Sequence, residues 1–317
     1  MSGLRFILDL LGILIIVATV LPLSRSDRWW VRLCDFPRFQ VAVLAIGLLV
    51  LMLTRRSFGI VDYILFTGVA LSALWQVSWV WRYFPGAPLE VDSSYAAVGS
   101  PGRIALMTTN VLQKSRDADA LLKIIGEANP DLVLAVETDE WWCTRLSEGL
   151  RARYPHSLIY PLSNGYGLAA FSRRTHRSGL VDDAIPSIKT GVRLRSGAVI
   201  DLYGLHPQPP APQQDSTERD VELVMVGKEI KKGNRPAIVL GDLNDVAWSP
   251  TTLSFKSAGG LVDPRRGRGF FNTYPAGLPG LRYPLDYIFI RPTSQYATCA
   301  FFRVLNRTIC RALHRCV

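Results

Sequence analysis

Six polar side chains stand at the edges of short apolar runs in the C-terminal two thirds of this 317-residue chain. Each run is typical of a β-strand, and its apolar neighbours give no reason for the polar residue at its edge. In a layered α/β domain such edges converge on one rim, so side chains distant in sequence can share a cleft. The six are Asn110 in TTNVL, Glu137 in VLAVETDE, His206 in LYGLHPQPP, Asp242 and Asn244 in IVLGDLND, and Asp286 in PLDYIFI.

These residue types indicate phosphoryl chemistry with a hard cation. Carboxylates and an amide, with no cysteine among them, favour Mg²⁺ or Mn²⁺ over zinc. A cation held by Glu137, with Asn110 beside it, would neutralise phosphate oxygens and stabilise the charge that develops during hydrolysis. Asp242 would align and deprotonate the attacking water. Asn244 would hold the nucleophile or a phosphate oxygen, and His206 would donate a hydrogen bond or a proton to the phosphoryl group.

Each of these residues also has an ordinary structural interpretation when it is taken alone. Asn110 can be a turn former, Glu137 can belong to the cap of a following helix, and residues 241–245 are a turn dense in Asx side chains. The catalytic interpretation therefore depends on the whole set, in which every member lies at a predicted strand edge.

The elements that must position these residues begin near Arg103. Short apolar runs alternate there with amphipathic stretches, which predicts strand, helix, strand and helix. We expect an α/β or α+β domain over residues 103–317, without internal repeats and with a terminus that is atypical from about residue 293. Residues 83–102 are rich in Pro, Gly, Ser and Ala, which predicts a linker.

Three apolar runs precede this linker. They cover residues 4–23, 40–53 and 60–81, and two of them reach the ~20 residues that cross a bilayer core. The middle run is shorter, but it extends to about Pro37 and has arginines on both flanks. Tryptophans lie near the ends of the runs, where an indole can sit among lipid headgroups. The sequence therefore predicts a membrane anchor of three transmembrane helices over residues 1–82.

Composition and charge agree with a basic, multi-pass membrane protein that contacts the bilayer through residues 4–81. Hydrophobic residues make up 49% of the chain, charged residues make up 20%, and the net charge is +10. These values exclude a disordered tail and do not suit a plain soluble enzyme. Four arginines between the first two runs, against three on the other side, favour a cytoplasmic first loop and a cytoplasmic C-terminal domain. The five cysteines form no spaced pair, so neither a disulfide scaffold nor a zinc site is expected.

In order and spacing, the polar segments resemble the endonuclease/exonuclease/phosphatase superfamily. The resemblance rests on TTNVL, AVETDE, YGLAAFSR, YGLHPQPP, IVLGDLND and YPLDYIFI, and it covers about residues 103–292. With the three apolar runs in front, the chain is similar to a membrane-anchored bacterial subgroup. The resemblance implies a four-layer α/β sandwich, in which two mixed sheets pack together between outer helices, and metal-dependent cleavage of phosphodiester bonds.

The resemblance also implies a role for each residue that matches a family motif. Glu137 would be the principal metal ligand, and Asn110 would assist it. Asp242 and Asn244 would orient the water and the phosphate. His206 takes the place of a phosphate-contacting histidine or tyrosine.

The chain departs from the family at the closing Ser-Asp-His motif, whose histidine Asp286 would hold charged and correctly turned. No such motif follows Asp286, and the only histidine left is His314, 28 residues later, with Leu313 before it and Cys316 where a proline is expected. If His314 does not reach the cleft, the site lacks a main stabiliser of the transition state. The alternative to an active enzyme is therefore an impaired enzyme or a non-catalytic membrane module that binds phosphate.

A basic and aromatic loop supplies candidate substrate-binding residues. Arg265, Arg266 and Arg268 would grip a nucleic-acid backbone or an anionic headgroup at the cleft rim. A solvated loop is the alternative interpretation for arginines interleaved with glycines. Nucleic acid and phospholipid both stay open as phosphodiester substrates, and no protein partner is predicted.

Overall fold

The computed structural model describes residues 3–316 apart from short gaps. The gaps are residues 56, 94–96, 98, 175, 181–186, 210–215, 276–277, 293–297 and 304–309, and only the backbone is described for 176–180, 218, 279, 298–303 and 310–316. The described chain begins with apolar helices and continues into two β-sheets that carry helices on their outer faces.

The N-terminal part consists of helices rich in leucine, isoleucine and valine. They are α1 (Gly3–Val20), α2 (Trp29–Arg32), α3 (Arg38–Leu53) and α4 (Ile60–Val80). Two continuous stretches, Gly3–Ser24 and Ile60–Tyr83, are long and apolar enough to cross a membrane. Their outward faces expose large apolar side chains, with Leu10 at 46% and Leu74 at 68%. An apolar surface of this extent is typical of helices that contact lipid.

The predicted middle span forms α3, which a sharp bend joins to the short helical segment before it. Its axis turns by 64° between Trp29–Asp35 and Arg38–Leu53. The break falls at Pro37, which has no N–H to continue the preceding helical turn. Alone, α3 extends about 24 Å, less than the ~30 Å of a bilayer core. The prediction of three transmembrane helices is therefore corrected to two continuous candidates, with a third only if the bent pair counts as one span.

Charged residues inside the apolar helices are paired with one another. Arg55 lies 2.6 Å from Asp9 and 2.6 Å from Asp62, and Arg5 donates to both carboxylate oxygens of Asp62. Pairing of this kind lowers the cost of placing charge near a bilayer. These four residues therefore hold one end of the helical bundle together.

The rest of the chain alternates strands with helices, as the sequence predicts. The strands are β1 (Asp92–Ser93), β2 (Ile104–Asn110), β3 (Leu132–Val136), β4 (His156–Tyr160), β5 (Leu168–Ser172), β6 (His176–Leu180), β7 (Ile188–Arg193), β8 (Val199–Leu205), β9 (Ala237–Asp242), β10 (Asp286–Arg291), β11 (Thr298–Arg303) and β12 (Cys310–Cys316), and the helices are α5 (Ala118–Ala128), α6 (Glu140–Leu150), α7 (Thr217–Lys232) and α8 (Pro250–Gly259). One sheet has seven strands in the order β1-β11-β12-β2-β3-β5-β4, and the other has five in the order β10-β9-β8-β7-β6. Both are mixed, since β1 runs parallel to β11, β2 to β3 and β8 to β9, while the other neighbours are antiparallel.

The two sheets pack face to face between two helical layers. Leu134 from β3 and Leu240 from β9, both fully buried, belong to the apolar core between the sheets. Leu121 and Trp142 bury α5 and α6 on the outer face of the first sheet, and Phe255 buries α8 on the outer face of the second. The predicted four-layer sandwich of two mixed sheets with outer helices is confirmed.

The C-terminal segment completes the first sheet. The β12 strand lies between β11 and β2, with Cys310 opposite Asn110 and His314 opposite Leu106. The chain that is atypical in sequence from about residue 293 therefore supplies strand backbone where it is described.

Segment 83–102, which the sequence predicts as a linker, packs along the domain in its described part. Val91 is 4% exposed, and Lys256 donates to the Glu90 carboxylate. Further hydrogen bonds join the helical part to the domain: Trp248 Nε1 to Asp35 O at 2.7 Å, Arg32 Nη2 to Asp220 Oδ2 at 2.9 Å and Ser216 N to Asp27 O at 3.2 Å. The helical part is thus fastened to the sandwich at several points.

Candidate active site

The candidate site lies where strand ends from both sheets meet. Asn110 ends β2, Glu137 follows β3, and Asp242 ends β9. Because β2 and β3 are parallel, their carboxyl ends share one edge of the sheet. The Asn110 side chain donates from Nδ2 to Glu137 Oε1 at 2.6 Å and to Asp242 Oδ2 at 3.0 Å. One amide thereby joins carboxylates from the two sheets.

The orientation of the Asn110 amide follows from its neighbours. Its Oδ1 accepts from the backbone N–H of Leu112 at 2.8 Å, and the reverse orientation would set that oxygen against two carboxylates. Asn110 therefore orients Glu137 in this structure, with its oxygen engaged by the backbone. Glu137 also accepts from the Gln113 N–H at 3.3 Å and has a φ of 63°, a conformation that non-glycine residues rarely adopt outside functional sites.

The Gly-Asp-Leu-Asn run folds into a tight loop that fixes both of its polar side chains. Asp242 Oδ1 accepts from the Asn244 N–H at 2.9 Å, and Asn244 Nδ2 donates to Pro207 O at 2.9 Å. Asn244 has a φ of 51°. Gly241 has a φ of +143°, and a Cβ there would lie 1.9 Å from Leu205 O. Only glycine can bring the two strands this close just before the aspartate.

His206 lies behind the Asp242 backbone. Its Nδ1 is 3.2 Å from Asp242 O, and since a carbonyl only accepts, Nδ1 carries the proton and Nε2 is left for another partner. The side chain is buried, and its ring centroid is 5.8 Å from that of Tyr166. Burial raises the pKa of the Tyr166 hydroxyl, and the Glu137 charge raises it further, so this group stays a neutral donor.

Asp286 begins β10 directly opposite Asp242 in β9. Its carboxyl is buried, and Oδ1 has no hydrogen-bond partner among the described residues. Burial raises the pKa of Asp286 to about 8, and the neighbouring Asp242 charge adds to this effect, while Thr273 and Arg265 oppose it. Burial and the neighbouring Asp242 charge therefore favour the neutral form of the carboxyl that the resemblance pairs with a histidine.

The donor set fits a divalent cation that is held mainly by Glu137. Glu137 and Asp242 form no ion pair with any described residue, so the cleft has an excess of negative charge. Within the described chain, no group of three or more His, Cys, Asp or Glu side chains forms a ready-made metal site. Mg²⁺ needs no such cage, since it binds through one or two carboxylates and completes its shell with water and substrate phosphate.

The structure corrects one residue of the predicted substrate-binding loop. Arg265 is 1% exposed and pairs with Asp263 at 2.8 Å, so its guanidinium is not available at the cleft rim. Arg266 pairs with Glu90 at 3.3 Å, and Arg268 donates to backbone carbonyls of its own loop and of Val91. The expectation of a solvated or substrate-gripping side chain is therefore wrong for Arg265, whereas Arg266 and Arg268 are only partly buried and their role in substrate binding stays a prediction.

The candidate catalytic role of His314, as the histidine that would close the site, stays a prediction. The β12 register places its backbone opposite Leu106, four residues and about 13 Å along β2 from Asn110. The His314 side chain lies outside the described residues. Residues 304–309, also outside them, have the sequence VLNRTI, which contains no histidine.

Several supporting residues were missed by the sequence reasoning. Asp245 is buried, accepts from Ser249 Oγ at 2.8 Å and lies 3.3 Å from Arg219 Nη2, and burial raises its pKa to about 6. Asp245 lies in the same Asx-rich run as Asp242, and this position in the sequence could have indicated a supporting role. Gln113 acts through its backbone N–H, so no residue-type signal could have found it.

Comparison with known proteins agrees with this fold. The family model of the Endonuclease/Exonuclease/phosphatase family matches residues 107–303. No curated protein matches the sequence. Among solved structures, D. rerio TDP2 humanized by 14 mutations has a TM-score of 0.55 at 17% identity and covers 67% of this chain and 98% of its own.

Two further structures are similar in fold. D. rerio TDP2 complexed with single-strand DNA product has a TM-score of 0.54 at 16% identity, over 68% of this chain and 98% of its own. The human Nocturnin catalytic domain with bound sulfate has a TM-score of 0.52 at 17% identity, over 67% of this chain and 94% of its own. At these identities the structures support the fold alone, whereas the family model covers more than half of the sequence. The chain, with Asn110, Glu137 and Asp242 gathered at the shared edge of its two sheets, belongs to the endonuclease/exonuclease/phosphatase family.

Proposed function

We propose that this protein is a membrane-anchored, Mg²⁺- or Mn²⁺-dependent phosphodiesterase with nuclease-like chemistry. The observation that carries the proposal is the Asn110 amide, which holds Glu137 and Asp242 together in a cleft with uncompensated negative charge. Members of the family are typically hydrolases of phosphodiester bonds, which supports the same reaction here.

The chain's own residues can bind and orient the reactants. A divalent cation bound at Glu137 would supply positive charge to the phosphate oxygens as negative charge develops on them. Asp242 is fixed by two hydrogen bonds, and each of its oxygens keeps a lone pair with which to take a proton from water. Asn244 is held by Pro207 O beside this carboxylate. His206, with Nδ1 committed to the backbone, can present Nε2 to a phosphoryl oxygen.

The substrate class follows from two separate features. D. rerio TDP2, which shares this fold, has been solved with a single-strand DNA product, and this supports nucleic acid. The candidate membrane helices support a phosphodiester at the bilayer, such as a phospholipid. We propose that a membrane anchor holds the domain on the cytoplasmic side, in keeping with the arginine distribution around the apolar runs.

A second candidate function is a non-catalytic or impaired phosphate-binding membrane module. It is favoured by Asp286, whose buried Oδ1 has no partner among the described residues, at the position where the family resemblance implies a histidine. A site without that histidine would keep its cation and bind phosphate. It would lose about 3 kcal/mol of transition-state stabilisation.

The test is hydrolysis of a single-stranded DNA oligonucleotide and of bis-p-nitrophenyl phosphate by the full chain in a neutral detergent. Reactions contain Mg²⁺, Mn²⁺ or EDTA. We expect metal-dependent turnover that falls about 10²-fold or more in Glu137→Gln and Asp242→Asn. Asp119→Asn is the matched control, because this carboxylate is 85% exposed and pairs only with the exposed Arg145. Phosphate binding without turnover in a folded wild-type protein would support the second candidate instead.

A further inference from the structure

A cavity lies at the junction between the end of α4 and the domain. Its volume is about 460 Å³, and its walls come from the last turns of α4, the following 3₁₀ turn, and the segment that enters α8. Its walls are mainly aromatic and cationic, and the side chains that matter here are Trp75, Trp79, Trp81, Arg82, Trp248 and Arg266. None of the catalytic candidates lines this cavity, so it is separate from the cleft.

The cavity has an excess of positive charge. Arg82 has no ion pair or side-chain hydrogen bond within the described part of the chain. Arg266 shares the single carboxylate of Glu90 with Lys256, so two cations face one anion at this wall. The Trp79 indole N–H beside them is buried and has no acceptor among the described residues. An anionic ligand with several acceptor oxygens would complement these groups.

The position of the cavity along α4 indicates that the anionic ligand is a lipid. The candidate span Ile60–Tyr83 is 24 residues long, about 36 Å, so its last turns reach the headgroup level when its first turns lie at the other face. Trp75 and Trp81 are 40% and 42% exposed there, as expected for indoles at a membrane interface. An aromatic cavity at this height would lie among the lipid headgroups once the span is in a bilayer.

We propose that this cavity binds the headgroup of an anionic phospholipid. The phosphate lies at Arg82 and Arg266, and the glycerol and upper acyl chains lie against Trp75 and Trp81. The inference rests on the membrane anchoring in the proposed function and is independent of catalysis. Trp248 forms one wall and follows Asn244 by four residues, so a bound lipid would brace the far end of the loop that carries Asp242.

The test is native mass spectrometry of the full chain purified in neutral detergent. Phosphatidylglycerol and phosphatidylcholine with identical acyl chains are added separately, and Arg82→Gln is compared with wild type. Arg25→Gln is the matched control, because Arg25 is exposed at the same end of the helical bundle but does not line the cavity. Thermal unfolding of each variant verifies that it is folded.

We expect one tightly held phosphatidylglycerol per chain, with affinity about tenfold weaker in Arg82→Gln and unchanged in Arg25→Gln. Equal retention of phosphatidylcholine, an equal loss in the control, or displacement of the lipid by millimolar glycerol phosphate would overturn the proposal. Carbonate washing of membranes tests the anchor separately. Release of the full chain into the wash would contradict membrane anchoring, whereas a retained chain without lipid selectivity would contradict the cavity alone.

Discussion

Asp286 and Asp242 face each other across the antiparallel pair β9–β10, as directly opposed residues of the ladder. Two buried carboxyl groups at neighbouring positions cannot both carry charge without a large cost. Asp242 has hydrogen-bond donors from Asn110 and Asn244, whereas one oxygen of Asp286 has none among the described residues. The proton of the pair therefore belongs on Asp286.

This arrangement predicts a pH-dependent stability in the absence of metal. The pKa of Asp286 is raised to about 8, against about 3.9 in an unfolded chain, so the folded protein binds the extra proton between these values. Stability should therefore fall as pH rises from about 4 to 8, by at most about 1.4 kcal/mol per pH unit, and level off above. In EDTA, Asp286→Asn should remove this fall, so its melting temperature relative to wild type should rise between pH 5 and pH 9. A difference that stays constant over this range would contradict the assignment, and exposed Asp119→Asn serves as the control.

Removal of the Asn110 amide should weaken cation binding. In Asn110→Ala, Glu137 and Asp242 lose the donor that they share, and their charges repel without an intervening N–H. We expect Mn²⁺ affinity, measured by calorimetry, to fall about 10- to 100-fold, the usual effect of removing a group that orients a metal ligand. Asn234→Ala, which changes an exposed asparagine, should leave the affinity unchanged. Equal affinities in Asn110→Ala and wild type would show that the amide does not organise the site.

Alanine substitutions at two glycines with positive φ distinguish the cost of backbone strain from the cost of a steric clash. Gly197 has a φ of +86°, and a Cβ at this position would have no atom within 4 Å. Gly197→Ala should therefore lower the free energy of unfolding by about 1 kcal/mol through backbone strain alone. Gly241→Ala places Cβ 1.9 Å from a backbone oxygen that cannot move away without breaking the sheet, so the loss should exceed ~3 kcal/mol. Denaturant unfolding of both variants gives the comparison. Similar losses in the two variants would mean that strand contact at Gly241 is looser than described.

The buried ion pair of Arg265 and Asp263 should matter for stability. Arg265→Met leaves the Asp263 carboxylate buried without its partner, and we expect a loss of ~3–5 kcal/mol. The double variant Asp263→Asn/Arg265→Met should recover most of that loss, since neither residue then carries a buried charge. If Arg265→Met were stable but bound DNA more weakly, the original substrate-binding interpretation of this arginine would be restored.

The sequence was sufficient to predict the strand edges of the site. Asn110 ends β2, Asp242 ends β9 and Asp286 begins β10, as predicted, because each of these polar residues borders an apolar run. Arg265 shows why the loop could not be predicted. Arginines among glycines look solvated, and nothing local indicates that Asp263, two residues earlier, accompanies Arg265 into the interior.

The bend before α3 and the position of His314 could not be predicted from the sequence, for a different reason. Hydropathy measures apolar length but not the direction of an axis, so the apolar run that forms α3 gave no sign of the bend at Pro37, where that run begins. For His314, spacing from Asp286 was suitable, but strand register decides which residue lies next to Asn110, and register depends on contacts between distant segments.

The hydrogen bonds from Asp27, Arg32 and Asp35 to the sandwich have a consequence for encounter with substrate. A domain joined to its helices by a flexible linker can take many orientations relative to them. A domain that is hydrogen-bonded to its helices at three separate points keeps one orientation and one distance relative to them. With the candidate spans in a bilayer, as we propose, the cleft would move in a thin layer parallel to that bilayer as the protein diffuses laterally. The protein would then encounter phosphodiesters within this layer by lateral diffusion in two dimensions. A substrate that extends beyond the layer would have to bend for its phosphate to reach Asp242.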